Sequence, residues 1–510
     1  MRKHFLIASL LTVIFQTMFI YFKNDLLWTL FLTLPIILLG LYEIVQKKHT
    51  LMRNYPIVGR ARYWMEVLRP KIYQYFIESN TDGTPINRIL RSVVYQRAKK
   101  DRSTTPFGTQ VDVYQSGYEW INHSLFPLPL EAVSTDSLRV KIGGKDCTQP
   151  YSCSIYNISA MSFGALSKTA ILSLNKGAKK GLFAHNTGEG GVSPYHRENG
   201  GDLIWQIGTG YFGCRDEEGN FNEDKFSQTA NLESVKMIEV KLSQGAKPGH
   251  GGILPADKNT EEIAEIRGVR PHTTIFSPSS HSAFKDSKEM MNFIKKLRTL
   301  SNGKPIGIKL CFGNLFDFEN LCQEMVNTGV APDYIAIDGG EGGTGAAPLE
   351  FTNSIGTSLR EGIVLSSDTL RKFGLRDEVK IFASGKIISG FDIIKAISLG
   401  ADACYSARGM MLALGCIQAL ECNTNNCPTG VATQNKMLYS GIDITDKGNR
   451  VHNFHHATLE SVAEILAATG LESTKQLNRS HIWRRIDETK ILNYEQIYPY
   501  YKDKSKTKSA

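Results

Sequence analysis

The chain has no paired cysteines. Its nine cysteines are an odd number and none stands in a C-x2-C pair. A disulfide framework and an ordinary four-ligand structural zinc site are therefore both poor fits, and a reducing, intracellular setting is the better one. No FAD or NADPH fingerprint is present. His185, His196, His250, His272 and His281 are scattered without an H-x-x-x-H spacing among them. They read as hydrogen-bonding or core histidines, not metal ligands. No solenoid-period repeat is apparent. The net charge of +9 is modest, and its lysines and arginines are spread along the chain, with clusters near 47–62 and in the tail. That excludes a nucleic-acid footprint and leaves a membrane surface or simple solubility. With 42% hydrophobic and 21% charged residues over 510 positions, the chain is globular. It is too long for one simple core unless that core is a large barrel with extensions.

Two apolar runs open the sequence, 5–22 and 26–45, each near the length of a bilayer-crossing helix. Lys23 to Leu26 make a tight turn between them. No A-x-A-like cleavage site follows the first run, and a second run does, so a signal peptide is the poorer reading. Arg2 and Lys3 precede the pair; Lys47, Lys48, Arg53, Arg60 and Arg62 follow it. Cationic flanks on both sides place both ends, and the domain that follows, in the cytoplasm of a multi-pass protein of the cell membrane. The alternative is a buried helical hairpin of the globular part. The expected organisation is a transmembrane hairpin (1–46), a small helical linker or collar (47–150), a catalytic barrel (151–435), a C-terminal helical extension (436–500) and a disordered basic tail (501–510). In the collar, RYWMEVLRPKIYQYFIES and INRILRSVVYQRAKK read as amphipathic helices whose aromatic residues serve packing.

From Tyr156 onward, short β-branched runs alternate with helical stretches. The expected strands are 156–162, 182–187, 238–245, 273–280, 305–313, 334–341, 379–385 and 403–409. This alternation predicts an α/β fold, a (β/α)8 TIM barrel with its site at the C-terminal ends of the strands; a doubly wound open sheet is the alternative.

The most chemically loaded stretch is Ala403 to Gln434. Cys416, Cys422 and Cys427 stand there in a C-x5-C-x4-C spacing, with Pro428 after the last. Clustered thiolates beside a strand-to-helix turn point to an iron–sulfur cluster, with structural zinc or inert buried cysteines as the alternatives. The loops after the last two strands, Ala383-Ser384-Gly385-Lys386 and Ser406-Ala407-Arg408-Gly409, lie where barrels bind phosphate. Lys309 sits inside an apolar strand. It faces either a functional cavity or a carboxylate partner in the barrel mouth. Three glycine-rich loops follow other strands: 186–191, 244–252 and 338–345. Each can fold closely over a flat ring or an anion.

MSFGALS (161–167), NTGEGG (186–191), QGAKPGHGG (244–252), EGGTGAAP (341–348) and CIQALECNTNNCPTGVATQ (416–434) resemble, in order and over about residues 150–435, the FMN-binding domain of the glutamate synthase large subunit. The apolar hairpin and the YFIES…PFGTQ segment resemble the stand-alone, glutamate-synthase-like branch of that family. The resemblance implies FMN held by Ser159, Ala160, Met161, Ser162, Asn186, Gln244, Lys309, Asp338, Gly339, Gly340, Ser384, Gly385, Lys386, Arg408 and Gly409. It implies a 3Fe-4S cluster on Cys416, Cys422 and Cys427, and reduction of 2-iminoglutarate, from 2-oxoglutarate and ammonia, to glutamate. Lys309 is then expected to stabilise the reduced flavin. Lys247 and Arg197 are expected to hold substrate carboxylates, and Glu189 or Glu341 to assist proton transfer. Met1-Arg2 stands where full-length family members carry a catalytic cysteine, and only residues 435–510 follow the cysteine segment. Glutamine is therefore not the expected nitrogen source, and an electron-donor protein or reductase is expected as partner. The alternative function is a membrane-tethered FMN and iron–sulfur oxidoreductase that acts on another substrate or exchanges electrons with a quinone or redox partner.

Overall fold

The computed structural model describes residues 1–101 and 104–501; the expected disordered tail lies, from residue 502, outside the described residues. The chain divides into two compact units, Met1–Pro85 and a larger one beginning at Ile86.

The larger unit is built on a closed barrel of eight parallel strands: β1 (Tyr156–Ile158), β2 (His185–Asn186), β3 (Leu203–Ile207), β4 (Val235–Lys241), β5 (Ile306–Cys311), β6 (Tyr334–Asp338), β7 (Lys380–Ser384) and β8 (Ala403–Ser406). Each strand pairs with the next, and β8 closes on β1 through Cys404 opposite Tyr156. Strands β3, β5, β6 and β8 are buried at every position, as the helix-covered strands of a parallel barrel must be. Tyr334, Phe382 and Tyr405 fill the barrel interior, their ring centres 5.0 and 4.8 Å apart in succession. A hairpin of Arg139–Ile142 and Tyr151–Ser154 adds Ile142 and Cys153 to the same interior cluster.

One expected strand was misplaced. Residues 273–280 supply no barrel strand; Ile275–Phe276 pairs only with Ile253–Leu254, outside the barrel. The missing strand is Leu203–Ile207, so QGAKPGHGG follows the fourth barrel strand, not the third. The expected strand at 182–187 shrinks to His185–Asn186, because Leu182 still belongs to the end of helix Lys168–Gly181, with φ +52°. Beyond the barrel, the 25-residue helix Ile444–Ala468 packs on Lys168–Gly181. The rest of 436–500 is not all helical. Ile482–Arg485 pairs antiparallel with Glu119–Ile121 and Ile491–Asn493, a three-stranded sheet that also draws strand from the expected helical collar.

The smaller unit opens with helix Arg2–Phe22, a tight 3-10 turn Asn24–Thr29 and helix Leu30–Val45. The two helices approach closely at Gly40, where a Cβ would collide with the Phe5 ring. Polar groups in the apolar runs satisfy one another: Gln16 donates to Thr29 Oγ1 at 3.3 Å and accepts from Thr33 Oγ1 at 2.9 Å. Glu43 is fully buried, accepts the Ile57 N–H at 2.6 Å and pairs with Arg60. A further helix, Gly59–Ile72, runs on through a π turn at Tyr73–Ile77. Tyr63 packs edge-on against His49, ring centres 5.3 Å apart, as expected, but Trp64, Tyr75 and Phe76 are exposed.

Candidate active site at the barrel mouth

Lys241 ends β4 and stands in register beside Lys309 on β5. Two neighbouring ammonium groups in a closed barrel need counter-charges, and each has one. Lys241 Nζ bonds Glu189 Oε1 at 2.9 Å, and Lys309 Nζ lies 3.5 Å from Asp338 Oδ2. These pairs also fix loops. Glu189 belongs to the loop after β2, and Asp338 Oδ2 accepts the Gly245 N–H at 2.8 Å from the loop after β4. Burial pushes the Glu189 carboxyl up, but the charge and hydrogen bond of Lys241, with Arg267 and Lys247 behind it, leave it below the usual range. Lys247 is 2% exposed, and burial, joined by the like charge of Lys241 and opposed by Glu189, brings it down to about 8. Its Nζ donates to Ala346 O at 2.8 Å, in the loop after β6.

Beneath this layer Glu239 is fully buried. It accepts from Asn186 Nδ2 at 2.8 Å, Gln206 Nε2 at 2.7 Å and Tyr405 OH at 3.0 Å. Asn186 Oδ1 in turn accepts the Gly188 N–H at 3.0 Å. The network links barrel strands β2, β3, β4 and β8 and presets the turn that carries Glu189. Gly188, at φ +65°, leaves no room for a Cβ against the Ser162 backbone.

Opposite lie the loops after β7 and β8. Gly339 N bonds Ser384 O at 2.8 Å, and Gly385 takes φ +149°. Lys386 is exposed, whereas Arg408 donates to Glu341 O at 2.6 Å and leans against Gly343. Lys386 and Arg408 place positive charge beside two short, glycine-bearing turns, an arrangement suited to an anion.

Arg408 opens the seven-residue helix Arg408–Leu414; Gly415, at φ +109°, ends it and Cys416 follows. Seven helical residues span about 10 Å, so the anion-type loop and the cysteine segment are tied by one short rigid element. The three thiols share a neighbourhood. Burial raises Cys416 to about 11, with Cys422 and Cys427 adding to the effect; Cys422 is raised by burial and by Cys427, with Lys258 opposing. Cys422 lies beside Gly345 of the loop after β6. Lys258, 2% exposed, donates to Ala165 O, Cys422 O and Ala432 O at 3.1, 2.8 and 2.7 Å. One ammonium thus joins the loop after β1, the long excursion after β4 and the cysteine segment. Among the described residues no three Cys, His, Asp or Glu side chains converge on a point suited to a single metal ion. A three-iron cluster takes one thiolate at each iron and spreads its ligands wider. Three soft donors in one neighbourhood and no fourth fit such a group better than zinc.

Residues 139–472 match the model of the conserved region in glutamate synthase. The chain belongs to the glutamate synthase family. A glutamate synthase large subunit-like protein, YerD, of Bacillus subtilis (strain 168) is 34% identical over 508 residues, covering 91% of this chain and 96% of its own. An archaeal-type glutamate synthase [NADPH] of Thermotoga neapolitana is 34% identical over 322 residues, 62% of this chain and 60% of that one. An archaeal glutamate synthase [NADPH] of Methanocaldococcus jannaschii is 34% identical over 324 residues, 63% of this chain and 60% of that one. The chain therefore spans about three-fifths of the length of those two enzymes. A flavocytochrome b2 structure superposes with a TM-score of 0.41 at 12% identity, over 82% of this chain and 85% of that one, too low to argue from.

Within this family member the barrel mouth gathers most of the expected residues, with differences in what they do. Ser159 and Met161 use their backbone N–H groups on Ser406 O and Asn186 O; Ser162 is buried and Ala160 half-buried. Gly340 N is taken by Thr357 O, Ser384 and Gly409 are buried, and Gln244 is half-buried. Asn186 spends both ends of its amide inside the protein, so it shapes the site from below. Lys309 has the carboxylate partner that was its alternative reading. Glu341 lies beside Gly339 and Gly385 with its carboxylate already engaged: both oxygens accept the Leu359 N–H, at 3.1 and 2.9 Å, ahead of helix Leu359–Lys372. Arg197 is exposed on the short helix Pro194–Arg197, not buried in the mouth with Lys241 and Lys247. His281 bonds Tyr211 OH and Lys241 O, and His250 bonds Gly251 O, as hydrogen-bonding histidines do. Sequence reasoning missed Lys241, Lys258 and Arg267. Arg267 is 5% exposed and donates to Ser162 Oγ and Phe163 O at 3.3 and 3.1 Å. The signal for Lys241 was the one used for Lys309, a lysine within an apolar strand.

Proposed function

We propose that this chain is a glutamate synthase-like oxidoreductase that reduces 2-iminoglutarate, formed from 2-oxoglutarate and ammonia, to glutamate with FMN and a 3Fe-4S cluster. The observation that carries the reading is the meeting of two features: the cysteine segment, tied by Lys258 and packed beside Gly345, and the cation-rich barrel mouth. Once bound, FMN supplies a hydride to the imine carbon and the cluster supplies electrons singly. Cys416, Cys422 and Cys427 are the cluster ligands. Gly385, Lys386, Arg408 and Gly409 hold the flavin phosphate, with Ser159 to Ser162, Gln244 and Gly339-Gly340 around the remainder of the cofactor. Lys309, oriented by Asp338, is the cation for the reduced ring. Lys247, with Lys241 and Arg267 close by, receives the substrate carboxylates as charge-assisted pairs. Glu189, kept ionised by Lys241, takes up or orients a proton and does not donate one at neutral pH.

Residues 1–46 are read as a hairpin in the cell membrane with the catalytic domain in the cytoplasm. Residues 47–150 form a collar, 151–435 the catalytic barrel and 436–500 an extension. Nitrogen comes as ammonia, and electrons from a separate donor protein. The apolar hairpin favours a second reading, in which the same cofactors act on another substrate or trade electrons with a quinone or redox partner.

Purified full-length protein is expected to show a flavin spectrum, to contain iron and sulfide, and to form glutamate from 2-oxoglutarate and ammonia with an artificial reductant. Quinone-dependent turnover without glutamate formation would select the second reading. Cys422→Ser is expected to lose iron and sulfide; full retention of both would end the cluster assignment.

A further inference from the structure

Helix Gly59–Ile72 and the turn Tyr73–Ile77 carry an apolar stripe left largely uncovered by the described residues. Ala61, Trp64, Met65, Leu68, Ile72, Tyr75 and Phe76 recur at the three- and four-residue steps that align side chains on one helix face. A helix of a soluble domain turns such a stripe inward. Here Trp64 is 66% exposed and Phe76 85% exposed; Met65, Leu68 and Tyr75 are exposed as well. Arg60, Arg62, Arg69 and Lys71 flank the stripe against the single acid Glu66, while Val67, Tyr73 and Ile77 are exposed on the remaining faces. Arg62 and Glu66 pair with each other at 2.9 Å on the exposed surface.

We infer that this helix lies in the headgroup layer of an anionic lipid bilayer, with the Trp64–Phe76 stripe in the acyl boundary and Arg62, Arg69 and Lys71 against lipid phosphates. Three features single out lipid as the occupant. The aromatic content matches residues that prefer the membrane–water boundary. Cations flank the apolar face, as in interfacial helices drawn to anionic lipids. The start of this helix is also bonded to the end of the apolar hairpin: across the short helix Thr50–Asn54, Glu43 of the second hairpin helix accepts from Ile57 N and pairs with Arg60. The helix therefore starts where the hairpin leaves the bilayer. This rests on the hairpin being in the membrane and adds a lipid-specific surface contact outside it.

The test uses the full chain in nanodiscs whose lipids carry bromine near the headgroup end of the acyl chain, which quenches tryptophan on contact. Comparing wild type with Trp64→Phe isolates Trp64, and comparing it with Trp28→Phe isolates the hairpin turn. Trp64 emission is expected to fall by about half, more with phosphatidylglycerol than with phosphatidylcholine alone, and less as salt is raised. The double substitution Leu68→Glu, Phe76→Glu should restore Trp64 emission while Trp28 stays quenched. Quenching of Trp28 with none at Trp64 overturns the surface-helix inference and keeps the hairpin in the bilayer. Quenching at neither position overturns the membrane reading and this inference with it. Trp64 unquenched, with two copies cross-linked through residue 68, shows that a second chain covers the stripe and also overturns it.

Discussion

Around the barrel mouth Lys247, Lys258, Lys309, Asp338 and Glu239 are buried, while in the N-terminal unit Phe15, Phe19, Phe22 and Phe31 are exposed. Both arrangements are costly in water, for opposite reasons. Taking an ion out of water costs several kcal/mol unless it is paired, and leaving apolar area in water forfeits about 25 cal/mol for each Å². The mouth answers its cost locally. Each buried ion has a carboxylate, one or more carbonyls or a set of neutral donors, and those partners come from different loops and strands. The charges therefore serve as rivets. The N-terminal unit has no such answer in protein. Its polar groups are satisfied, Gln16 by Thr29 and Thr33 and Glu43 by Arg60, and its apolar ones are left outward. Closed hydrogen bonds beside an open apolar face are what the proposed membrane hairpin requires.

The comparison breaks most visibly at Lys258. Lys258→Met keeps the chain's bulk but leaves three carbonyls, on Ala165, Cys422 and the buried Ala432, without their donor. At about 1 kcal/mol or more for each acceptor, a loss of about 3 kcal/mol is expected, read as a shift in denaturation midpoint. Iron content should fall with it, because the same ammonium fixes the Cys422 carbonyl. A Met variant with unchanged midpoint and iron would show that the mouth does not depend on this rivet.

Lys309 sharpens a different side of the contrast, a buried charge proposed to act on the flavin. Lys309→Met is expected to cut turnover about 100-fold, the size of removing one preorganised electrostatic group, with little change in the flavin band. Unchanged turnover would make the Lys309–Asp338 pair purely structural.

How much of this was legible in the sequence depends on what each residue's signal rests on. The barrel was visible because strand and helix alternate, and the cysteine segment because thiols at such spacing are rare. Leu203–Ile207 was missed because Gln206 interrupts its apolar run; the structure shows that this glutamine points at Glu239. Residues 273–280 passed as a strand on β-branched composition alone, which the long excursion after β4 overrides. Lys258 was invisible because it lies in a polar stretch, Ala256-Asp257-Lys258-Asn259, and only the tertiary fold buries it. The backbone partner of Glu341 was not legible, because a carboxylate in a glycine-rich loop has the same local sequence whether it meets substrate or the Leu359 N–H. Trp64 and Phe76 were given to packing because amphipathicity states that a face must be covered and not by what.

A smaller effect is expected from pH. Burial lowers Lys247 to about 8, so its charge is present below that value and lost above it. KM for 2-oxoglutarate should rise about tenfold by one pH unit above it, with kcat less affected. Because the unfolded lysine stays protonated to its ordinary value, the unfolded chain binds the extra proton between the two, and this residue's share of stability grows as pH rises through that window. Lys247→Arg keeps the charge and should flatten the KM profile. A wild-type profile that is already flat would remove Lys247 from substrate binding.

The smallest expected effect belongs to the other region. Gln16→Leu deletes the link to Thr29 and Thr33 and replaces it with apolar volume. In water, exposing one more leucine would weaken the hairpin's solubility and little else. In a bilayer the lost interhelical hydrogen bonds are worth about 0.6 kcal/mol, since the threonines can turn to their own backbone carbonyls, as Thr33 already does with Thr29 O at 3.1 Å. Unfolding of the full chain in nanodiscs should therefore show a loss near that size, and in the same direction for Thr33→Val. A loss of several kcal/mol would mean that Gln16 holds the two helices together where lipid packing does not. The N-terminal unit would then resemble the barrel mouth, riveted by polar contacts, and the contrast between the two regions would disappear.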